Sequence, residues 1–104
     1  MGERYNGWTN WDTWAVALWA DNEESLYNRL WAMLKRIGQY QDKGKYNEAK
    51  ARAGLLRIAK EVARYARSKG EPIENEAVNW DEIVDSWLAE WEAEKAYYQQ
   101  EADR

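Results

Sequence analysis

Apolar side chains recur every three or four residues along almost the whole 104-residue chain, a spacing that places them on one face of an α-helix. Proline, which lacks the backbone donor of a helical hydrogen bond, occurs once, at Pro72. Because no other residue type forbids a helix outright, the pattern predicts an all-α fold.

The first two helices are predicted from this spacing and from their capping residues. The first spans about residues 10–20, with Thr9 as N-cap and Asp12 three residues later, the arrangement of a capping box. The second follows Asp21 and Asn22, which offer the next cap. Its predicted buried stripe is Leu26, Leu30, Met33, Ile37 and Tyr40.

The other two helices are separated by strong stop signals. A polar stretch at residues 39–45 predicts the turn into a third helix over residues 46–68, and Gly70 with Pro72 ends it. The predicted buried face of the third helix is Tyr46, Ala49, Ala53, Leu56, Ala59, Val62 and Ala66. Asn79 is the predicted N-cap of the fourth helix, whose apolar face is Trp80, Ile83, Val84, Trp87, Leu88 and Trp91.

These segments predict one elongated, single-domain bundle of four helices over residues 1–104, with the second and third helices as a central antiparallel hairpin. A helix of 20 residues is about 30 Å long, whereas a compact chain of this length has a radius of gyration near about 13 Å. The bundle is therefore expected to be longer than it is wide. A short tail at residues 1–7 and a frayed end at about residues 98–104 complete the prediction.

Charge is distributed in three blocks that the net charge of −4 conceals. Residues 1–28 hold one basic and five acidic side chains, residues 29–69 hold twelve basic and three acidic ones, and residues 70–104 hold two basic and eleven acidic ones. Either oppositely charged helices neutralise each other within the fold, or one block stays free to meet an oppositely charged partner.

The residue types exclude much enzyme chemistry. The chain has no cysteine and no histidine, which removes thiol nucleophiles, zinc-thiolate sites and the most common general base. Carboxylate pairs four residues apart, Asp81 with Asp85 and Glu90 with Glu94, are typical of a solvated helix face. We therefore expect no enzymatic activity, no cofactor and no metal site. Neither a leader segment nor a membrane-spanning run is found, so the expected location is the cytoplasm, without a membrane partner.

The aromatic side chains comprise eight tryptophans, seven tyrosines and no phenylalanine. Every ring therefore carries a hydrogen-bonding group suited to the boundary of a core. Most indoles at helical spacing are expected in the core, but eight are too many for a small bundle to bury. Trp8 and Trp91 are predicted to be partly exposed and to bind a partner.

Two sequence runs resemble a known family. YNGWTNWDTWAVALWADNEESLYN, at residues 5–28, and VNWDEI, at residues 78–83, are similar to motifs of small uncharacterised proteins of bacteriophages, plasmids and bacterial genomes. In that family NGWTN is followed by an aromatic residue, an acidic residue, Thr and Trp, and then by ALW and Asn. The resemblance implies a cytoplasmic accessory protein, often carried on a mobile element, with no catalytic residues to transfer. By association, it also suggests an inhibitor of host defence.

Acidic residues of the fourth helix carry the first functional hypothesis, because closely spaced carboxylates can imitate a phosphate backbone. The expected function is non-enzymatic inhibition of a host nucleic-acid-handling or defence complex, of the anti-CRISPR or anti-restriction type. The expected partner is a host protein or ribonucleoprotein. The predicted acidic binding residues are Asp81, Asp85, Glu90, Glu92 and Glu94.

A basic stripe on the third helix carries the alternative hypothesis, a nucleic-acid-binding accessory protein. Four cations at intervals of three and four residues line one side of that helix, as expected for phosphate contact. They are Arg57, Lys60, Arg64 and Arg67. A third interpretation is a structural or dimerisation module, in which exposed tryptophans meet in a homodimer.

Overall fold

A computed structural model describes residues 4–102, with side chains described through residue 97. This part of the chain forms four helices and no strand: α1 (Trp11–Asn22), α2 (Glu24–Asp42), α3 (Glu48–Ser68) and α4 (Trp80–Ala102). Its extents are 45 × 26 × 25 Å and its radius of gyration is 14.8 Å. The prediction of an elongated all-α bundle is confirmed.

The ends of the chain are described only in part. Residues 1–3 of the predicted tail and residues 103–104 of the predicted frayed end lie outside the described residues, while α4 continues through Ala102. Among the described helices, none combines the length and apolar character needed to cross a membrane.

α1 begins at Trp11 with a cap other than the predicted one. The Oδ1 atom of Asn10 accepts a hydrogen bond from the backbone N–H of Thr13 at 2.9 Å, so Asn10 is the N-cap. The prediction that Thr9 caps the helix is wrong. Asp12 does not close a capping box, because its carboxylate instead accepts a hydrogen bond from the backbone N–H of Glu74 at 2.9 Å.

α2 follows α1 after a single residue, Glu23, whose extended backbone separates the two helices. No side chain caps α2. The prediction that Asp21 or Asn22 caps it is wrong, because both residues still belong to α1. The buried side chains of α2 are Leu26, Leu30, Leu34 and Ile37. Of the predicted stripe, Met33 is half-buried and Tyr40 is exposed.

α3 is the centre of the bundle and packs against each of the other three helices. Its buried residues are Ala51, Leu55, Ile58, Ala59, Val62, Ala63 and Ala66. The small side chains allow neighbouring helices to approach closely. The predicted face is wrong in the first turns of α3, where Ala49 and Ala53 are exposed because Ala51 and Leu55 face the core.

α2 and α3 meet in opposite order along the chain. Arg29, near the start of α2, forms an ion pair with Glu61, late in α3. One turn further along α2, Met33 lies against Gly54, earlier in α3. This order of contacts is the one that antiparallel packing requires, and the two helices are joined by the short connection at residues 43–47.

α4 begins as predicted and packs with an apolar stripe. The Oδ1 atom of Asn79 accepts a hydrogen bond from the backbone N–H of Glu82 at 3.1 Å, as an N-cap does. The fully buried part of the stripe is Ile83, Val84, Trp87 and Trp91. The prediction that Trp91 is partly exposed is wrong, because it lies one turn after Trp87 on the same face and is 8 % exposed.

Candidate functional site

The segment before α1 is a tight turn that is tied to α4. Gly7 has a φ of 88°, a left-handed conformation that glycine adopts without steric cost. Tyr5 and Trp8 exchange backbone hydrogen bonds of 2.7 and 2.8 Å across this turn. The guanidinium of Arg4 donates to the carbonyl oxygen of Gly7 and to Glu82 Oε2, both at 2.7 Å, which links the turn to the start of α4.

Polar residues of the two sequence runs that carry the family resemblance bind each other where α1 and α4 begin. The hydroxyl of Thr13 donates to Asn10 Oδ1 at 2.7 Å and accepts from the backbone N–H of Asn79 at 2.9 Å. Asn10 Nδ2 donates to the carbonyl oxygen of Ala77 at 2.7 Å, and Asn79 Nδ2 donates to Thr9 Oγ1 at 3.2 Å. We call Thr9, Asn10, Thr13 and Asn79 the α1–α4 joint. Their hydrogen bonds connect the start of α1 to the start of α4.

The five predicted acidic binding residues lie on two flanks of α4. Asp81 and Asp85 face α3, where Arg52 approaches them at 3.7 and 2.7 Å. Glu92 shares this flank and forms an ion pair of 3.1 Å with Lys95. Basic side chains of the fold therefore neutralise part of this flank.

Glu90 and Glu94 lie on the opposite flank of α4, and Glu90 is in electrostatic reach of both Glu94 and Asp21, which lies at the end of α1. Within the described residues, none of the three forms an ion pair, and we call them the acidic cluster. Burial raises the pKa of Glu90, and Asp21 and Glu94 raise it further; burial also raises the pKa of Asp21. Because the folded state favours the protonated carboxyls of Glu90 and Asp21, ionisation of these two groups as pH rises costs stability.

The three carboxylates of the acidic cluster do not make a metal site. In the part of the chain that the structure describes, no group of carboxylates is arranged to hold a metal ion. The cluster is therefore a surface of negative charge.

The two predicted aromatic binding residues lie in different parts of the bundle. Trp8, in the turn before α1, is half-buried and packs against the core. Trp91, late in α4, is part of the core. They do not combine into one exposed aromatic surface.

The predicted basic stripe is also divided. Lys60 Nζ lies 5.8 Å from the ring centroid of Trp80 in a cation–π contact. Arg67 donates a hydrogen bond of 2.6 Å to a side chain in the segment after α3, and Arg64 is exposed. Of the four stripe residues, Arg57 lines a cavity.

That cavity has a volume of about 570 Å³ and lies between α2, α3 and the connection that joins them. Four cations line it and no carboxylate does. Within the described residues, none of these cations forms an ion pair. They are Arg36, Lys45, Lys50 and Arg57, and we call the cavity the basic groove. Clustered charges of one sign in a concave site concentrate positive potential there.

Two exposed tyrosines also line the basic groove. Tyr40 is 49 % exposed and Tyr46 is 38 % exposed. Burial raises the pKa of Tyr46, and the nearby carboxylates of Glu48 and Glu92 raise it further, so its hydroxyl stays protonated at neutral pH. The groove thus combines cations with exposed aromatic rings.

The sequence pattern identified one of the four groove cations, Arg57. Arg36 comes from α2 and Lys45 from the connection, and helical spacing, which compares residues of one helix, cannot group them with α3. Lys50 lies on α3 seven residues before Arg57, on the same helix face, so extending the pattern by two turns would have found it. The available signal was the interleaving of basic and aromatic residues around residues 36–50, a composition typical of nucleic-acid interfaces.

Comparison with known proteins identifies a family and no characterised relative. No curated protein matches the chain, and no solved structure matches it. The family model of DUF7249, described as a family of unknown function, matches residues 1–96. Since this match spans almost the entire sequence, the chain belongs to the DUF7249 family.

Proposed function

We propose that this DUF7249 protein is a non-enzymatic nucleic-acid-binding protein that acts in the cytoplasm and uses the basic groove as its interface. The observation that carries the proposal is that the cations of the groove form no ion pair within the described residues. Four cations surround one cavity without a carboxylate, in a chain whose net charge is −4.

Within the described residues, other cations of α2 and α3, such as Lys35 and Arg64, also form no ion pair; the groove is distinguished by bringing four such cations to one cavity that no carboxylate lines. Outside the groove, Arg29 is paired with Glu61 and Arg52 with Asp85. Inside the groove the like charges repel one another, and this repulsion destabilises the folded state. An anionic ligand relieves that repulsion, and clustered arginine and lysine side chains bind phosphates through charge-assisted hydrogen bonds and charge neutralisation.

The test replaces three groove cations, Lys45→Gln, Lys50→Gln and Arg57→Gln, in one variant. Because each lost phosphate contact lowers affinity, we expect at least about tenfold weaker binding to a labelled oligonucleotide, measured by fluorescence anisotropy. The slope of log affinity against log salt should fall in magnitude by about 2, at 0.7 per single-strand phosphate contact.

A matched control removes three exposed cations outside the groove: Lys35→Gln, Arg64→Gln and Lys69→Gln. This control variant changes the net charge by the same amount as the groove variant. Because its three positions lie outside the groove, it should bind the oligonucleotide within about twofold of the unaltered protein if the groove is the interface. Equal losses in the two variants, or no oligonucleotide binding by the unaltered protein at low salt, would overturn the proposal.

The acidic cluster supports a second candidate function, inhibition of a host nucleic-acid-handling or defence complex by imitation of phosphate. The specific observation in its favour is that Asp21, Glu90 and Glu94 lack basic partners within the described residues. On this proposal the partner is a protein or ribonucleoprotein with a basic nucleic-acid channel. The anti-CRISPR and anti-restriction types are examples of such an inhibitor.

The variant that tests this candidate is Glu90→Gln with Glu94→Gln, and its control is Asp81→Asn with Glu92→Gln on the neutralised flank. We expect a host complex retained by the immobilised protein at low salt to be lost from the first variant and kept by the control. Retention that is equal in both variants, or insensitive to salt, would count against phosphate imitation.

A further inference from the structure

We infer that the basic groove takes single-stranded nucleic acid, with bases stacked on Tyr40 and Tyr46 and phosphates bound by the surrounding cations. This inference rests on the proposed function and narrows it to one class of nucleic acid. Three observations support it: the shape of the groove, the exposed and unpaired rings of the two tyrosines, and the positions of the cations.

The shape of the groove favours a single strand over a duplex. Proteins that read duplex DNA insert a protruding helix or strand pair into the major groove. In this protein the candidate surface is concave. Its cavity volume of about 570 Å³ lies within the range of about 300–1,000 Å³ that is typical of small-molecule binding sites. Bases of a single strand can leave their stack and enter such a cavity, whereas paired bases cannot.

The floor of the groove is apolar and suits a planar base. Met33 and Ile37 line it from α2, and Ala51 and Gly54 line it from α3. Gly54 matters because a Cβ at that position would lie 3.1 Å from Met33 Cε. The absent side chain lets Met33 lie across the floor, and the sulfur of methionine makes favourable contacts with aromatic rings.

The two tyrosines are available to a ligand. Several other aromatic rings of the described residues pair within the protein, as Tyr5 does with Trp14 and Tyr27 with Trp31. No such ring pair includes Tyr40 or Tyr46. Stacking on an aromatic side chain is sequence-tolerant, because every base has a flat face.

Cations line the same cavity as these rings, on both helices and on the connection between them. Arg36 lies one turn before Tyr40 on α2, Lys45 is next to Tyr46 in the connection, and Arg57 stands on α3. Phosphates on either side of a stacked base therefore meet positive charge whichever way the strand runs. Four phosphate contacts predict a salt slope of about 3 in magnitude for a single strand.

The decisive variant is Tyr40→Leu with Tyr46→Leu, which keeps apolar bulk and removes the stacking rings. We expect at least about tenfold weaker binding to homopolymer DNA or RNA strands of about 16 nucleotides, the upper site size of a single-strand-binding domain. Affinity for a duplex of the same length should be weaker in the unaltered protein and should change less than about twofold in the variant.

Tyr27→Leu is the matched control, because Tyr27 is an exposed tyrosine of α2 that does not line the groove. It should leave strand binding unchanged. Circular dichroism and urea unfolding of all three proteins verify that the variants keep the fold. Parallel titrations with the DNA strand and the RNA strand show which of the two single strands is bound more tightly.

Three outcomes overturn the inference, and one of them also removes the proposed function. In the first outcome, the protein binds duplex at least as tightly as single strand, and Tyr40→Leu with Tyr46→Leu has no effect. The proposed nucleic-acid-binding function then stands, but base stacking on the tyrosines does not. A mononucleotide that competes as well as the strand identifies a small-molecule site. Failure to bind any strand, duplex or nucleotide at low salt removes both proposals.

Discussion

Trp91→Ala is expected to lower the free energy of unfolding by about 3–5 kcal/mol, the range for truncation of a buried tryptophan. Its ring meets Trp31 with centroids 6.3 Å apart, and its indole N–H donates to Gln41 Oε1 at 3.3 Å. Gly38 of α2 makes room for the ring, since a Cβ at that position would lie 2.5 Å from Trp91 Cζ2. Truncation therefore leaves a cavity between rigid helices.

Urea denaturation followed by circular dichroism measures this loss. Trp8→Ala is the control, because Trp8 is only half-buried in the turn before α1, and we expect it to cost about 1–2 kcal/mol. Losses of equal size would show that Trp91 is not an anchor of the core. A full loss of folded signal at room temperature would mean a loss above the predicted range, since small domains have about 5–15 kcal/mol of stability.

Trp91 also shows what composition cannot predict. The number of indoles suggested that some must be exposed, but it does not say which. The spacing of Trp91 from Trp87 and Val84, at four and seven residues, places all three on one helix face, and that local pattern gave the correct answer. The space for the ring depends on Gly38, which is distant in sequence and which no pattern within α4 reveals.

The four helices were predictable because their signals are local, whereas caps and faces depend on tertiary contacts. Asn79 caps α4 as its sequence indicates. Thr9 and Asp12 have equally good capping chemistry, yet they bind the segment that precedes α4. On α3, alanines occur on more than one side, so periodicity cannot decide whether Ala51 or Ala53 faces the core. The answer depends on which sides meet other helices.

The candidate site was less predictable than the fold, for a related reason. Periodicity on α3 detects Arg57 but groups it with Lys60, which stacks against Trp80 instead. Likewise, the carboxylates of α4 look uniform in sequence, whereas Arg52 neutralises Asp85 and leaves the opposite flank unpaired. The charges available to a partner are those that the fold leaves unpaired, and pairing is a tertiary property.

Thr13→Val is the second substitution expected to have a large effect, a loss of about 2–3 kcal/mol in the free energy of unfolding. Thr13 is fully buried, and its hydroxyl joins Asn10 Oδ1 to the backbone N–H of Asn79. Valine has nearly the same shape but neither donates nor accepts. It leaves the Asn79 donor without its partner and the Asn10 oxygen with one hydrogen bond fewer, and an unsatisfied buried polar group costs about 1–3 kcal/mol.

Thr13→Ser separates hydrogen bonding from packing, because serine keeps the hydroxyl and loses only the methyl group. We expect it to cost about 1 kcal/mol, near the value of one buried methylene, and therefore less than Thr13→Val. If serine proves the more destabilising residue, packing rather than hydrogen bonding holds the α1–α4 joint. At a temperature where both variants are folded, oligonucleotide binding should equal that of the unaltered protein, because the joint lies outside the basic groove. The residues that carry the family resemblance would then specify the fold, and the basic groove would carry the function.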